Sequence, residues 1–195
     1  MKIIKTIKST AIPLPIENID TDQIIPARFL KAIDQKGFGA KLFNDWRYFE
    51  NGALNPDFVL NDKRFSGGVL VAGRNFGCGS SREHAAWALA DYGIQAVVSS
   101  YFADIFKGNA LNNGLLPIQV SEAVLEEIIQ LVYDRPNTTF TIDLEEQKLL
   151  FNPNRSIFFE IDQYKKMCLL KGQSDLDYLL SLEDKIAEFE TTIIY

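Results

Sequence analysis

The sequence predicts an α/β domain organised around a βαβ unit and finished by a helical tail. A short, continuous apolar run at 69–71 and a second, mostly apolar strand at 94–99 flank an alanine-rich helical stretch over 82–92. Further on, Phe140, Ile142 and Leu144 alternate with Thr139, Thr141 and Asp143, the period-two pattern of a half-exposed strand. From Gln163 onward the chain reads as helix.

Up to Pro15 the chain reads as a short strand and an extended loop, because Pro13 and Pro15 hold their preceding residues extended. Residues 18–26 are rich in turn formers, and Pro26 suits the first turn of a helix. Over 35–61 the glycines Gly37, Gly39 and Gly52 break any period, while Phe38, Phe43, Trp46, Tyr48 and Phe49 are large and apolar. A long aromatic loop of this kind is functional or buried against a partner. After the first apolar run comes a loop with Gly73, Gly77 and Gly79, then the helix, which stops at Gly93. A single helical turn is expected at 104–107 and a strand around 115–118. Ser121 caps a helix to about Tyr133, with Val124, Ile128, Leu131 and Val132 on one face. The alternating strand turns at 145–147 and returns through Leu149, and 157–161 suits another strand. Gly172 interrupts the tail; Ser174 restarts it, with Asp175 and Asp177 in its first turn, as one docking helix over about 175–189. Residues 1–162 are expected to form one domain, with 163–195 a helical extension packed on it.

With 195 residues, 47% hydrophobic and 24% charged, the chain has the bulk of one ordinary domain. The net charge is -6 and the basic residues do not cluster, so no nucleic-acid partner is expected. No apolar run reaches membrane-spanning length, and the first residues lack the apolar core of a signal peptide. A cytoplasmic location without a membrane partner is expected. Two distant cysteines, Cys78 and Cys168, form no disulfide framework and cannot alone hold an iron–sulfur cluster or a zinc ion. With one histidine, His84, and no nucleophile elbow, a serine-hydrolase triad has little support.

The run Gly79-Ser80-Ser81-Arg82-Glu83-His84 concentrates the chemistry. Read structurally, Ser80 and Glu83 have the spacing of a capping box, which needs no function. Read functionally, glycines let a ligand approach backbone amides, and a helix N-terminus presents N–H groups with partial positive charge. Arg82 adds a fork suited to a carboxylate. Together they describe an anion site with a hydroxyl in its middle. The glycine spacing matches neither of the common phosphate loops, so a nucleotide pocket is the weaker reading.

The segment 73–85, Gly-Arg-Asn-Phe-Gly-Cys-Gly-Ser-Ser-Arg-Glu-His-Ala, resembles the motif of the aconitase swivelling-domain family. The earlier segment 18–26, Asn-Ile-Asp-Thr-Asp-Gln-Ile-Ile-Pro, is similar to that family's N-terminal motif. Ser100-Tyr101-Phe102-Ala103-Asp104-Ile105-Phe106 and then 109–117 resemble its downstream segment. The resemblance runs in order over about residues 1–150. It is strongest to free-standing small subunits of isopropylmalate dehydratases, in length and in Arg28-Phe29-Leu30.

The resemblance implies a swivelling β/β/α domain with a mixed sheet, working beside a large subunit that carries a [4Fe-4S] cluster; this chain itself would hold no cofactor. It implies a hydro-lyase that shifts a hydroxyl between 2- and 3-isopropylmalate in leucine biosynthesis. Ser80 matches the family's base, Arg82 its substrate-carboxylate clamp and Ser81 a substrate-facing neighbour. Asp22 matches an acidic residue that positions a histidine of the cluster-bearing part. Gly79 and Glu83 support the loop and the cap. Arg28, Phe29 and Leu30 are candidates for contact with the isopropyl group, or else plain core. His84 reads as a packed helix residue. Cys78 stands where aconitases proper carry an acidic residue, and it has no cluster role here. Two alternatives stand beside this one: a small subunit acting on a related diacid (homoaconitate or citraconate), and a non-enzymatic anion-binding module.

Overall fold

The computed structural model describes residues 2–30, 36–152 and 155–192. Two four-stranded sheets form its frame. Strands β2 (Ala11–Leu14), β3 (Val69–Ala72), β4 (Ala96–Ser99) and β5 (Leu116–Gln119) pair in parallel in that order. Strands β1 (Thr6–Ser9), β6 (Phe140–Asp143), β7 (Lys148–Asn152) and β8 (Arg155–Phe158) pair antiparallel. In place of one mixed sheet, the two kinds of pairing are segregated. Burial explains the division: β2, β3 and β4 are buried at every position, as parallel strands covered on both faces are. By contrast, β6 and β7 alternate buried with more open positions, as a sheet with one wet face does. Pro13 lies within β2, and as β2 is an edge strand its missing N–H costs no ladder bond.

The expected βαβ unit is β3, α3 (Glu83–Tyr92) and β4, and α3 ends at Gly93 in the left-handed conformation. A second crossover uses α4 (Asp104–Asn112), a full helix where the sequence predicts one turn. Gly108 and the asparagines weaken its intrinsic propensity, but Phe106, Ala110 and Leu111 bury a face that offsets the deficit. After β5, the Ser121 side chain accepts from the Val124 N–H and starts α5 (Glu122–Asp134), which packs on β2 and β3. Strand β8 starts earlier than the 157–161 expected, because Ile157 pairs opposite Leu149 while Phe159 leaves the ladder and is buried.

Residues 36–61 hold short helical pieces rather than an open loop: 3-10 turns at Gly39–Lys41 and Val59–Asn61, and a helical turn, Asn44–Arg47. With Thr21–Ile24 numbered α1, this last turn is α2. Half of the aromatics there are core: Phe38, Phe43 and Phe58 are buried, and Phe43 stacks on the half-buried Trp46 at 5.5 Å. Arg47 is also buried. It donates to the carbonyls of Gly39 (3.3 Å) and Leu42 (3.4 Å) and lies over the rings of Tyr48 and Tyr92. Asp91, near the end of α3, accepts from the N–H groups of Gly37 (3.0 Å) and Gly39 (2.7 Å) and bolts the segment down.

In the tail, α6 (Gln163–Lys171) buries Cys168 and Leu169 and ends at the left-handed Gly172. Ser174 and Asp177 form a capping box on α7 (Asp175–Leu180). The single helix expected from 175 breaks near Ser181, and α8 (Glu183–Thr192) follows. Among the described residues neither α7 nor α8 buries a residue, and α7 meets α6 through Asp175 and Tyr178; residues 193–195 lie outside the described part. Among the described residues no helix is long and apolar enough to cross a membrane.

Candidate active site

Two motifs distant in sequence are stitched into one surface. The Ile19 carbonyl accepts from the N–H groups of Gly77 (2.8 Å) and Cys78 (3.2 Å), and the Thr21 N–H donates to the Cys78 carbonyl (2.9 Å). The Thr21 hydroxyl donates to the Ser80 carbonyl at 2.8 Å. Asn18 and Asn75 add a side-chain bond of 2.9 Å. The loop makes this fit by two left-handed glycines, Gly77 (φ 76°) and Gly79 (φ 85°). A Cβ on Gly77 would sit 2.2 Å from the Phe106 ring, and one on Gly79 would sit 3.2 Å from Asp20.

This geometry corrects the expected cap. Ser80 does not cap α3: the helix starts at Glu83, with Arg82 in the N-cap position and no side-chain cap bond. The turn at Gly79 and the hold of Thr21 on the Ser80 carbonyl keep Ser80 off the helix start. Glu83 therefore closes no capping box; its Oε1 accepts from Asn113 Nδ2 at 3.0 Å. The capping box of this site lies in the other motif, where Asp20 and Gln23 cap α1 reciprocally, each bond 2.8 Å. As a result the start of α3, beside the exposed Ser80 and Ser81, has no side-chain cap bond among the described residues.

Arg82 donates through both terminal nitrogens to the Asp22 carboxylate, Nη2 to Oδ2 at 2.6 Å. Its side chain is 14% exposed against 53% for Asp22. The guanidinium holds the Asp22 carboxyl below its usual range, and Asp22 raises Arg82 in turn. Asp22 also accepts from the Ala27 N–H (3.2 Å). Asp22, expected to face a partner's histidine, is thus engaged within this chain. A guanidinium has five N–H groups, so this pairing leaves Arg82 donors for a further carboxylate.

The 3-10 turn Ala27–Phe29 carries the other candidates. Arg28 pairs in two-pronged fashion with Asp45, with Nη1 3.0 Å from Oδ2, and stacks over Phe29 at 4.6 Å. With Lys41, Asn44, Tyr48 and Phe49 it lines an open cleft of about 710 Å³, a cleft that Ser80 does not line. Phe29 and Leu30 are partly buried and pack on the core. The structure therefore joins Ser80, Ser81, Arg82, Asp22, Gly79 and Glu83, and it turns Arg28 towards Asp45.

His84 lies between Phe38 (5.3 Å) and Trp87 (4.5 Å), a packed scaffold residue. Cys78 Sγ donates to the Asn18 carbonyl at 3.3 Å, and burial, then the charge of Asp20, pushes its thiol up. A [4Fe-4S] cluster needs at least three thiolates. Cys78 is held as a thiol and Cys168 is buried on α6, so the cysteines of this chain do not fit the group. Sequence reasoning missed Thr21 and Asp45, neither of which has a local signal. It also missed Asp20, whose three-residue spacing to Gln23 was visible.

Residues 1–123 match the Aconitase C-terminal domain family. A 3-isopropylmalate dehydratase small subunit from Cytophaga hutchinsonii is 56% identical over 191 residues, which are 97% of this chain and 95% of the relative. The chain belongs to the 3-isopropylmalate dehydratase small-subunit family. Another member, from Christiangramia forsetii, is 57% identical over 186 residues, 95% of this chain and 91% of the relative. A solved 3-isopropylmalate dehydratase from Methanocaldococcus jannaschii superposes with a TM-score of 0.65 at 30% identity, covering 95% of this chain and 99% of that one.

Proposed function

We propose that this chain is the small subunit of a hydro-lyase that interconverts 2- and 3-isopropylmalate in leucine biosynthesis. A large subunit bearing the iron–sulfur cluster completes it. The observation that carries this reading is the exposed Ser80 beside the uncapped start of α3, with Arg82, two positions on, paired to Asp22 of α1.

The reaction removes a proton and a hydroxyl from neighbouring carbons of the diacid, then returns them in exchanged positions. This chain's share is the proton. Ser80 Oγ, as alkoxide, takes the carbon-bound proton and gives it back to the adjacent carbon. An alkoxide is a demanding base in water. The amides at the start of α3 and the cation of Arg82 stabilise its charge. Arg82, aimed by Asp22, uses its remaining N–H groups to hold a substrate carboxylate, and Ser81 lies against the same substrate. The cluster's chemistry belongs to the partner, and no step in this chain runs through it. Two unpaired cysteines suit the reducing cytoplasm.

The test is reconstitution. The chain alone should be inactive, and mixing it anaerobically with a purified large subunit should give turnover of isopropylmalate. Turnover of homoaconitate or citraconate in preference would reassign the substrate. Absence of any activity in the mixture would favour a mere anion-binding module.

A further inference from the structure

Among the described residues, α7 and α8 carry an apolar stripe that is left exposed. On α7, Leu176, Leu179 and Leu180 are 65%, 55% and 60% exposed, at the spacing that places them on one helix face. On α8, Ile186 and Phe189 are 45% and 65% exposed and likewise share a face. The opposite side of α7 is the one that is anchored. Asp175 accepts from the Tyr164 hydroxyl (2.9 Å) and from Lys165 Nζ (2.7 Å), and Tyr178 packs edge-on to Tyr164 at 4.8 Å. The anchoring is polar and aromatic, and it turns the leucines outward. Large exposed apolar faces of this kind mark binding surfaces. The charges around the stripe are lopsided: 175–192 holds six carboxylates and one lysine.

We infer that α7 and α8 form the docking arm for the large subunit, received in an apolar groove flanked by lysine and arginine. The inference rests on the reading of this chain as a small subunit. The occupant follows from where similarity stops. The aconitase C-terminal domain match ends at residue 123, whereas the small-subunit relative from Cytophaga hutchinsonii aligns over 97% of the chain. The tail is thus shared with free-standing subunits and lies outside the match to a domain named as part of a longer chain. A domain in a longer chain is held at its partner by the backbone. A separate subunit has to replace that tether by surface, and the uncovered stripe lies in the tail. The acidic rim adds steering toward a basic groove.

The test uses the full-length chain with Leu176→Ser, Leu179→Ser and Leu180→Ser together, and a second variant with Ile186→Ser and Phe189→Ser. Both keep the fold, since the altered side chains are exposed, and thermal unfolding checks this. Affinity for the purified large subunit is measured anaerobically by sedimentation velocity at low and high salt. At least one variant should bind about tenfold or more weakly, the scale of losing a central apolar anchor. Wild-type affinity should fall with salt. Turnover at saturating small subunit should be unchanged, because the altered residues lie outside the catalytic loop. Unchanged affinity in both variants would overturn the docking arm and leave the proposed function standing. A loss confined to self-association of the isolated chain would overturn it in favour of a second copy. A wild-type chain that binds no large subunit would overturn both readings.

Discussion

Arg82 and Asp22, 60 residues apart, meet as a two-pronged ion pair whose Nη2–Oδ2 arm is 2.6 Å long. The pair joins the two motifs that the chain brings to one surface, and it sets the direction of the arginine that follows Ser80 and Ser81. Asp22→Asn keeps the shape and removes the charge. We expect kcat/KM of the reconstituted enzyme to fall about tenfold, on the scale of a charge-assisted hydrogen bond, with KM carrying most of the change. Steady-state kinetics on the complex measures this.

The same pair gives a pH dependence. Arg82 lowers the Asp22 carboxyl in the folded chain below its ordinary 3.8. A lowered carboxylate contributes stability that is complete above its unfolded pKa and lost as pH falls through the folded one. Asp22 is half-exposed, so the contribution is that of a surface pair, about 0.2–1 kcal/mol. The gap in melting temperature between wild type and Asp22→Asn should be constant from neutral pH down to about 5 and close below 3.8. Thermal scans across that range test it.

Cap assignments separate cleanly by mutation. Asp20→Ala removes an observed capping box and should cost about 1 kcal/mol in urea unfolding. Ser80→Ala and Glu83→Ala remove no cap bond and should each stay within about 0.5 kcal/mol of wild type. Equal costs at Asp20 and Ser80 would contradict the geometry.

Among the described residues no carboxylate pairs with the buried Arg47, whose charge is met by carbonyl oxygens and two aromatic faces. Arg47→Met should destabilise by roughly 2–4 kcal/mol, because the Gly39 and Leu42 carbonyls lose their donor. The 36–61 segment should become protease-sensitive before the sheets do.

The contrast between Ser80 and Asp20 shows what local spacing conveys. The β3–α3–β4 unit was legible because buried strands and an alanine-rich helix leave periodic traces between glycines. The α5 cap was legible because Ser121 stands where a helix period begins. The α3 cap misled, since its outcome depends on Thr21, which reaches the Ser80 carbonyl across 59 positions. Gly108 hid α4, whose stability comes from the burial of Phe106 and Leu111 rather than from propensity. The separation into two sheets depends on β1 pairing with β6, a long-range choice that no local run of residues records. Among the candidate site residues, Ser80 and Arg82 were marked by the glycines around them. The partner of Arg28, Asp45, sits in an aromatic-rich segment with no period to place it.

The measurement closest to the central claim is single-site replacement of the base in the assembled enzyme. Ser80→Ala in an anaerobically reconstituted complex should bind the large subunit as wild type does and leave KM within a few-fold. Its kcat on isopropylmalate should fall by about 10²–10⁴, the range of a lost general base. Wild-type turnover from a complex carrying Ser80→Ala would contradict the assignment of this loop as the proton-transfer half of the site.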